Sequence, residues 1–243
     1  MTELRIHPLP LVKIKTVKGI MTYLLNIAEP LECYEYIWYI EGLKARILVD
    51  AGGPAETFTR RGFPARNIAS PAEALKKVGL SPEEIDLVIC THLHYDHIEF
   101  GYMYKNAKFV VQRAELEAAL DPHPIQKASY IPKEMLKGLN FEVVEGDSQI
   151  VKGVKVLFTP GHTLGGQSVM VHTPKGEVII SGLCTIRDNF EPPEPVRHLM
   201  PVITPGHHLD ASEAFTSLKR IKKEADIVIP LHDAEFALRD AIL

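Results

Sequence analysis

The sequence predicts an α/β fold in which two β-sheets pack together and carry helices on their outer faces. Segments rich in β-branched and aromatic residues occur in clusters. Segments with helix caps or one apolar face lie between these clusters and after them. One parallel sheet would need strands and helices in regular alternation, so this order favours two sheets. No low-complexity tract or linker interrupts the chain, and we expect one domain over residues 1–243.

Nine strands are predicted from short apolar runs that end in turn residues. They cover residues 34–40, 45–49, 86–90, 107–111, 141–144, 154–158, 168–172, 177–181 and 226–230. A helix is predicted between Ser70 and Gly79, because Ser70, Pro71 and Glu73 form a capping box with proline in the first turn. Further helical segments are predicted at residues 81–84, at residues 112–120, after Asp210 and after Asp233.

Composition and charge exclude several classes of function. The net charge of −4 gives none of the basic footprint that nucleic-acid-binding proteins carry. No apolar run approaches the ~18 residues of a membrane-spanning helix, and residues 1–15 have no secretory apolar region. Cys33, Cys90 and Cys184 are far apart and form no C-x-x-C pair, which favours a reducing, cytoplasmic location. A small-molecule substrate is expected, and the sequence leaves a homo-oligomer open.

The segment from His92 to His97 carries the main chemical signal. It contains three histidines and one aspartate in six residues, directly after the predicted strand at 86–90. Imidazole and carboxylate groups together suit Zn²⁺, Fe²⁺, Mn²⁺ or Co²⁺. Alternate side chains of an extended loop point the same way, so His92 and His94 are predicted to hold one ion. Asp96 and His97 are predicted to face a second position.

Two further histidines fit this site, because each follows an apolar strand as the hexapeptide does. His162 lies in the turn Thr159–Thr163, and His232 follows the strand at 226–230. Ligands that lie at the ends of neighbouring strands, on one edge of the sheets, are held in place by rigid elements and can form a site. The other histidines are expected outside the site, with the pair after the proline-rich loop the least certain: His7, His123, His172, His198, His207 and His208.

The chain resembles the metallo-β-lactamase superfamily in the pattern His92-x-His94-x-Asp96-His97, in the turn around His162 and in the late His232. Asp50 matches a buried aspartate that supports the metal loop in that superfamily. The resemblance implies an αβ/βα four-layer sandwich with metals at one edge between the sheets. It also implies that His92, His94 and His162 hold one metal, and that Asp96, His97 and His232 hold another.

Within the superfamily, the chain looks most like the acyl-homoserine lactonases. The segments that carry this likeness are residues 38–40, 47–50, 110–115, 159–168 and 189–191. The group usually bridges its two metals with an aspartate at the position where this chain has Leu183, next to Cys184. A thiolate can bind metal, so one hypothesis makes Cys184 a replacement ligand. The other makes it a small buried cysteine beside a site with fewer ligands.

The substrate side of the lactonase pattern also departs from the group. Its tyrosine, which donates a hydrogen bond to the substrate carbonyl, is missing from the segment Thr185–Asp188. Tyr102 or Tyr104 is a candidate replacement. Residues 191–205 contain five prolines, so we expect an irregular loop over the site, with Arg197 as a substrate contact or as part of a surface connection.

These features predict a metal-dependent hydrolase that uses a metal-activated water to open a lactone or a related cyclic or ester-like carbonyl compound. Two divalent ions, zinc by default, would lower the pKa of water from ~15.7 toward ~7. Asp96 is assigned as both ligand and proton shuttle. The alternatives are a thioesterase or phosphodiesterase on the same scaffold, a redox enzyme of the flavodiiron type, and a non-catalytic metal-binding module. No G-x-S-x-G nucleophile is present.

Overall fold

The computed structural model describes residues 3–242 and arranges their strands in two sheets. The first sheet has the order β4-β1-β2-β3-β5-β6-β7. Its strands are β1 (Arg5–Val17), β2 (Pro30–Glu41), β3 (Ile47–Val49), β4 (Ala65–Asn67), β5 (Leu87–Ile89), β6 (Lys108–Gln112) and β7 (Asn140–Val144). The second sheet has the order β12-β11-β10-β9-β8. Its strands are β8 (Ser148–Val151), β9 (Val154–Phe158), β10 (Gln167–Thr173), β11 (Gly176–Ile180) and β12 (Ile227–Ile229).

The helices lie between and after the strands. They are α1 (Lys18–Met21), α2 (Ala55–Arg60), α3 (Pro71–Lys76), α4 (Tyr95–Ile98), α5 (Arg113–Leu120), α6 (Lys133–Leu136), α7 (Arg187–Phe190), α8 (Glu194–Arg197) and α9 (Ala211–Glu224). Short 3-10 helices cover Pro82–Glu84, Glu99–Met103 and Ala234–Leu238. The predicted capping box of α3 is present, because Ser70 Oγ accepts from Glu73 N and a Glu73 carboxylate oxygen accepts from Ser70 N. Of the helices in residues 3–242, none is long and apolar enough to cross a bilayer.

Three apolar clusters show how the layers stack. Side chains of both sheets, such as Trp38 of β2 and Val169 of β10, meet in the central cluster. A second cluster lies between the first sheet and α2 and α3, and a third joins the second sheet to Leu218 and its neighbours on α9. Helices therefore cover the outer face of each sheet, which confirms the predicted αβ/βα sandwich.

The strand ends that carry the predicted ligands lie at one edge of the sandwich. β3 and β5 are parallel neighbours in the first sheet, and they end just before Asp50 and the His92–His97 segment. In the second sheet, β9 ends before His162, and β12, parallel to β11, ends before His232. Both sheets thus bring their ligand-bearing turns to a common rim.

Several parts of the fold differ from the sequence prediction, and the strands that it missed are β1, β4 and β8. β1 was not predicted, because Pro8 and Pro10 interrupt its apolar pattern. At Pro8 and Pro10, β1 has a paired strand on one side only, β2, because β4 pairs with residues 12–14. The N–H groups that proline lacks therefore interrupt no hydrogen bonds to a second neighbouring strand. The prediction that residues 191–205 lack regular structure was also wrong, because α8 forms there with Pro195 in its first turn, where no intrahelical donor is needed.

Candidate metal centre and adjoining cavity

The first group of potential ligands is formed by His92, His94 and His162. One donor atom of each lies within 4.8 Å of the others, and all three side chains are buried. The backbone at His94 is extended before α4 begins at Tyr95, so the side chains of His92 and His94 reach the same space. Gly161, at φ +115°, lets the His162 turn pack on α9, because a Cβ there would lie 2.1 Å from Ala214 N.

The second group consists of His92, Asp96 and His97, again with donor atoms within 4.8 Å of one another. Asp96 Oδ2 lies 3.1 Å from His97 Nε2 and 4.0 Å from His232 Nε2. The carboxylate of Asp96 therefore stands between two imidazoles that come from different sheets. The structure brings together all six His and Asp residues that the sequence predicted as ligands.

Asp50 supports the ligand loop from behind. Its Oδ1 accepts from Thr91 N at 2.7 Å, and its Oδ2 accepts from Thr91 Oγ1 at 2.9 Å and from His97 Nδ1 at 2.8 Å. Its backbone is left-handed, with φ +62°, which is costly for an aspartate and persists only where the surroundings impose it. The buried carboxylate thus fixes both the start of the loop and the orientation of His97.

The hydrogen bonds around the imidazoles leave their Nε2 atoms free. His162 Nδ1 donates to His207 O at 2.7 Å, and His232 Nδ1 donates to Tyr34 O at 3.0 Å. Thr91 Oγ1 gives its proton to Asp50, so the His92 Nδ1–H donates to Thr91. His92 Nε2 and His162 Nε2 then present lone pairs to each other at 3.2 Å.

This arrangement fits a bound cation. Two lone pairs at 3.2 Å repel each other unless a proton or a metal ion lies between or beside them. The buried Nε2 atom of His94 also has no hydrogen-bond partner within the described residues, and that of His97 faces the Asp96 carboxylate without a well-directed hydrogen bond. Imidazoles held in one tautomer by carbonyl and carboxylate groups are typical of metal sites in proteins.

The local field keeps most of these imidazoles neutral. Burial, reinforced by the neighbouring imidazoles, holds the pKa of His92, His94 and His162 well below the usual histidine value. Burial also lowers the pKa of His232 to about 4. Burial opposes charge at Asp96 too, but His97 outweighs it and lowers the pKa of that carboxyl. Burial lowers the pKa of His97 as well, but the carboxylates of Asp96 and Asp50 outweigh it and raise that pKa well above the usual histidine value. The other four imidazoles thus have the neutral state that metal binding requires.

The segment after β11 supplies no ligand to either group. Leu183 packs in the third apolar cluster, under α9. Cys184 is buried at the cavity wall, where its thiol lies 3.4 Å from Met21 Sδ, and burial raises the pKa of that thiol. Neither group of donor atoms within 4.8 Å includes Cys184. The thiol therefore contacts the Met21 sulfur and lies outside both ligand groups.

A cavity of about 400 Å³ adjoins the site. Its polar wall includes Asp96, His232 and His207. Most of the remaining wall is apolar and includes Ile14, Ile20, Met21, Phe58 and Phe63. The guanidinium of Arg61 lies 4.1 Å from the ring centre of Tyr95, and both residues line the same space. The cavity can therefore receive an apolar molecule whose polar end reaches the imidazole cluster.

The structure places the three predicted substrate contacts outside the residues that line this cavity. Tyr102 is 62% exposed, and Tyr104 is fully buried with its hydroxyl on Ala51 O. Arg197 is exposed on α8 and donates to Pro192 O. Tyr95, inside the hexapeptide, and His207, beyond the proline-rich loop, line the cavity instead. Strand periodicity gives no signal for either, because Tyr95 begins the short helix α4 and His207 lies at a bend.

Glu115 is a further residue that motif reasoning missed. Its buried carboxylate accepts from Leu93 N at 2.9 Å, from Gly165 N at 3.1 Å and from Tyr130 Oη at 3.1 Å. Burial raises the pKa of Glu115, and these donors oppose that change. Leu93 lies between two ligands and Gly165 lies three residues after His162, so one side chain joins both ligand turns.

A family model named the metallo-beta-lactamase superfamily matches residues 31–232. This chain belongs to that superfamily. It is 31% identical over 230 residues to an N-acyl homoserine lactonase of Bacillus cereus, which covers 87% of this chain and 84% of the relative. It is 32% identical over 230 residues to the N-acyl homoserine lactonase AiiA of Bacillus thuringiensis subsp. kurstaki, with the same coverage. The predicted likeness to the lactonases is thus confirmed.

Solved structures agree with this assignment. A variant of B. thuringiensis AiiA with N-decanoyl-L-homoserine at its active site has a TM-score of 0.78 and 27% identity, covering 97% of this chain and 95% of that one. An N-acyl homoserine lactone hydrolase with N-hexanoyl-L-homoserine at its catalytic metal centre has a TM-score of 0.77 with the same identity and coverage. The dizinc lactonase AidC, at 16% identity and a TM-score of 0.66, supports the fold alone.

Proposed function

We propose that this protein is a metal-dependent hydrolase that opens lactones carrying an apolar substituent. One observation carries the proposal: five imidazoles and one carboxylate meet at the polar end of an otherwise apolar cavity of about 400 Å³. The named relatives, which are lactonases at 31–32% identity, support the same reaction. An apolar tail would occupy the wall of Phe58 and Phe63 while the ester reaches the imidazoles.

We propose two divalent ions, zinc by default, held by His92, His94 and His162 and by Asp96, His97 and His232. Iron, manganese and cobalt also suit these ligands. When bound, such ions supply Lewis acidity and lower the pKa of water toward ~7. Cys184 is left out of this set because its thiol contacts Met21.

Asp96 is the residue that we propose to move protons. Its carboxylate lines the cavity and lies 3.1 Å from His97 Nε2. Asp96 is the one carboxylate among the cavity-lining residues that the structure describes, so we assign to it the proton that the attacking water releases. It can then return that proton to the alkoxide that leaves when the ring opens. Asp50 fixes the orientation of His97 through a hydrogen bond to its Nδ1, and His97 Nε2 in turn faces the Asp96 carboxylate.

A thioesterase is the alternative that the cavity leaves open, because a thioester combines a carbonyl with an apolar chain. A phosphodiesterase fits less well, since Arg61 is the one arginine or lysine among the cavity-lining residues that the structure describes. We also propose that residues 1–243 form one domain. A cytoplasmic location is proposed because Cys33, Cys90 and Cys184 are all free thiols.

The test combines elemental analysis with a substrate panel. Protein purified without added metal is expected to contain metal and to hydrolyse N-acyl homoserine lactones faster than thioesters or phosphodiesters. His92→Ala is expected to lose both metal and turnover, because His92 belongs to both ligand groups. His172→Ala is the matched control, since His172 is exposed on β10 and pairs with Glu177. Turnover of thioesters alone would replace the lactone proposal, and bound metal without any turnover would favour a binding module.

A further inference from the structure

The backbone around His207 is fixed against both the cavity wall and a proposed metal ligand. His207 N donates to Ile20 O at 2.8 Å, and His207 O accepts from His162 Nδ1 at 2.7 Å. Gly206 permits this close approach, because a Cβ there would lie 1.8 Å from Gly19 O. A side chain mounted on this segment is therefore held in place before any substrate arrives.

The imidazole of His207 lies directly against the first ligand group. Its ring centre is 5.5 Å from that of His94, with the planes nearly parallel, and 5.0 Å from that of His162. The ring lines the cavity, and its one side-chain hydrogen bond within the described chain is a long contact of 3.5 Å with Ser129 Oγ. At least one ring nitrogen is thus available to a molecule that enters the cavity.

His207 is outside both ligand groups, so its position points to the substrate rather than to a metal. Two other donors near the cavity have protein partners. Arg61 stacks on Tyr95 and donates its Nε–H to Ala128 O. Thr185 donates its hydroxyl to Leu183 O and accepts from Leu231 N. His207 thus places a ring nitrogen without a close protein partner beside two of the proposed metal ligands, His94 and His162.

We propose that His207 is a catalytic residue that donates a hydrogen bond to the carbonyl oxygen of the substrate ester. The bond strengthens as negative charge develops on that oxygen, and the imidazole keeps its proton throughout. This inference rests on the proposed function, because it requires a carbonyl substrate. Loss of one such donor typically lowers kcat by about 10²–10³-fold.

The test compares His207→Leu and His207→Gln with His208→Gln, using N-hexanoyl-homoserine lactone. His208 is the neighbouring control, since its Nδ1 contacts Pro205 O and its ring packs on Tyr23. His207→Leu is expected to lower kcat by about 10²–10³-fold with unchanged metal content. His207→Gln keeps an N–H donor and should recover part of that loss, and His208→Gln should stay within about threefold of the wild type. A small effect of His207→Leu, or a loss of metal parallel to the loss of activity, would overturn the assignment.

A binding measurement separates this inference from the proposed function. Calorimetric titration with the ring-opened product, N-hexanoyl-L-homoserine, requires no turnover. Weaker product binding to His207→Leu than to the wild type is expected, and equal affinity would refute the contact even in an inactive enzyme. A wild type that hydrolyses thioesters but not lactones would overturn the lactone proposal while the same kcat ratio still tests His207. Activity on phosphodiesters alone would reject both.

Discussion

The carboxylate of Glu115 offers the most direct test of how the two ligand turns are held together. Glu115→Gln keeps the size of the side chain but replaces one acceptor oxygen by an NH₂ group. Leu93 N and Gly165 N donate to different oxygens of Glu115, so either orientation of the amide leaves one buried backbone N–H without its acceptor. An orphaned buried donor costs about 1–3 kcal/mol, and we expect a loss of that size in the free energy of unfolding.

The same substitution should weaken metal binding. Leu93 separates His92 from His94, so a shift of its N–H moves two ligands of the first group. Removal of such a supporting partner typically costs about 10–100-fold in metal affinity. Urea unfolding of the metal-free protein measures the stability, and competition with a chelator measures the affinity. Glu117→Gln is the control, because Glu117 lies on the exposed face of the same helix.

An unchanged chelator competition curve together with a change of stability below about 0.5 kcal/mol would refute this reasoning. It would mean that the turns hold their positions without the carboxylate. A loss of stability with normal metal affinity would be a narrower result. It would show that Glu115 contributes to folding while the hexapeptide and the His162 turn keep their geometry through Asp50 and α9.

Three further outcomes are expected. Ser70→Ala removes the α3 cap and should lower the free energy of unfolding in urea by about 0.5–2 kcal/mol; an unchanged transition would show that the cap is not needed. Cys184→Ser should leave the metal content by elemental analysis unchanged, and a loss of metal would return the thiolate to the ligand set. Asp147→Asn breaks the exposed pair with Arg220, which lowers the pKa of Asp147. At pH 7 we expect the pair to stabilise the fold by about 0.2–1 kcal/mol relative to Asp147→Asn. This stabilisation is fully present above the unfolded pKa of about 3.9, and it should be lost as the pH falls through the lower pKa of Asp147 in the folded protein.

The sequence predicted the elements whose signals are local. The capping box at Ser70 and the hexapeptide at 92–97 each contain their physical cause within a few residues, and both appear where they were expected. β1 escaped prediction because its prolines are tolerated only where one neighbour is missing, and that depends on how short β4 is. Whether β1 forms therefore depends on its neighbours in the sheet, and the sequence of the segment alone does not show them.

Glu115 and His207 could not be predicted from the sequence for a related reason. Glu115 lies on a short helix, and its burial arises only when two distant turns close over it. His207 follows a proline and a glycine, a context typical of surface loops, and it reaches the cavity because Gly206 packs on Gly19. In both cases the decisive neighbours are far away in sequence, so composition and spacing carry no trace of them.

The segment after β11 has no carboxylate at the position where the lactonase pattern has its bridging aspartate. Gly182 has no room for a side chain, since a Cβ there would lie 1.9 Å from Gln167 O. Leu183 is committed to the apolar cluster under α9, and Cys184 faces Met21. None of these three residues therefore places a carboxylate between the ligand groups. Asp96 is left as the one carboxylate that belongs to both the cavity lining and a ligand group in the described chain. Its position between His97 and His232 would therefore decide how the second ion that we propose is held.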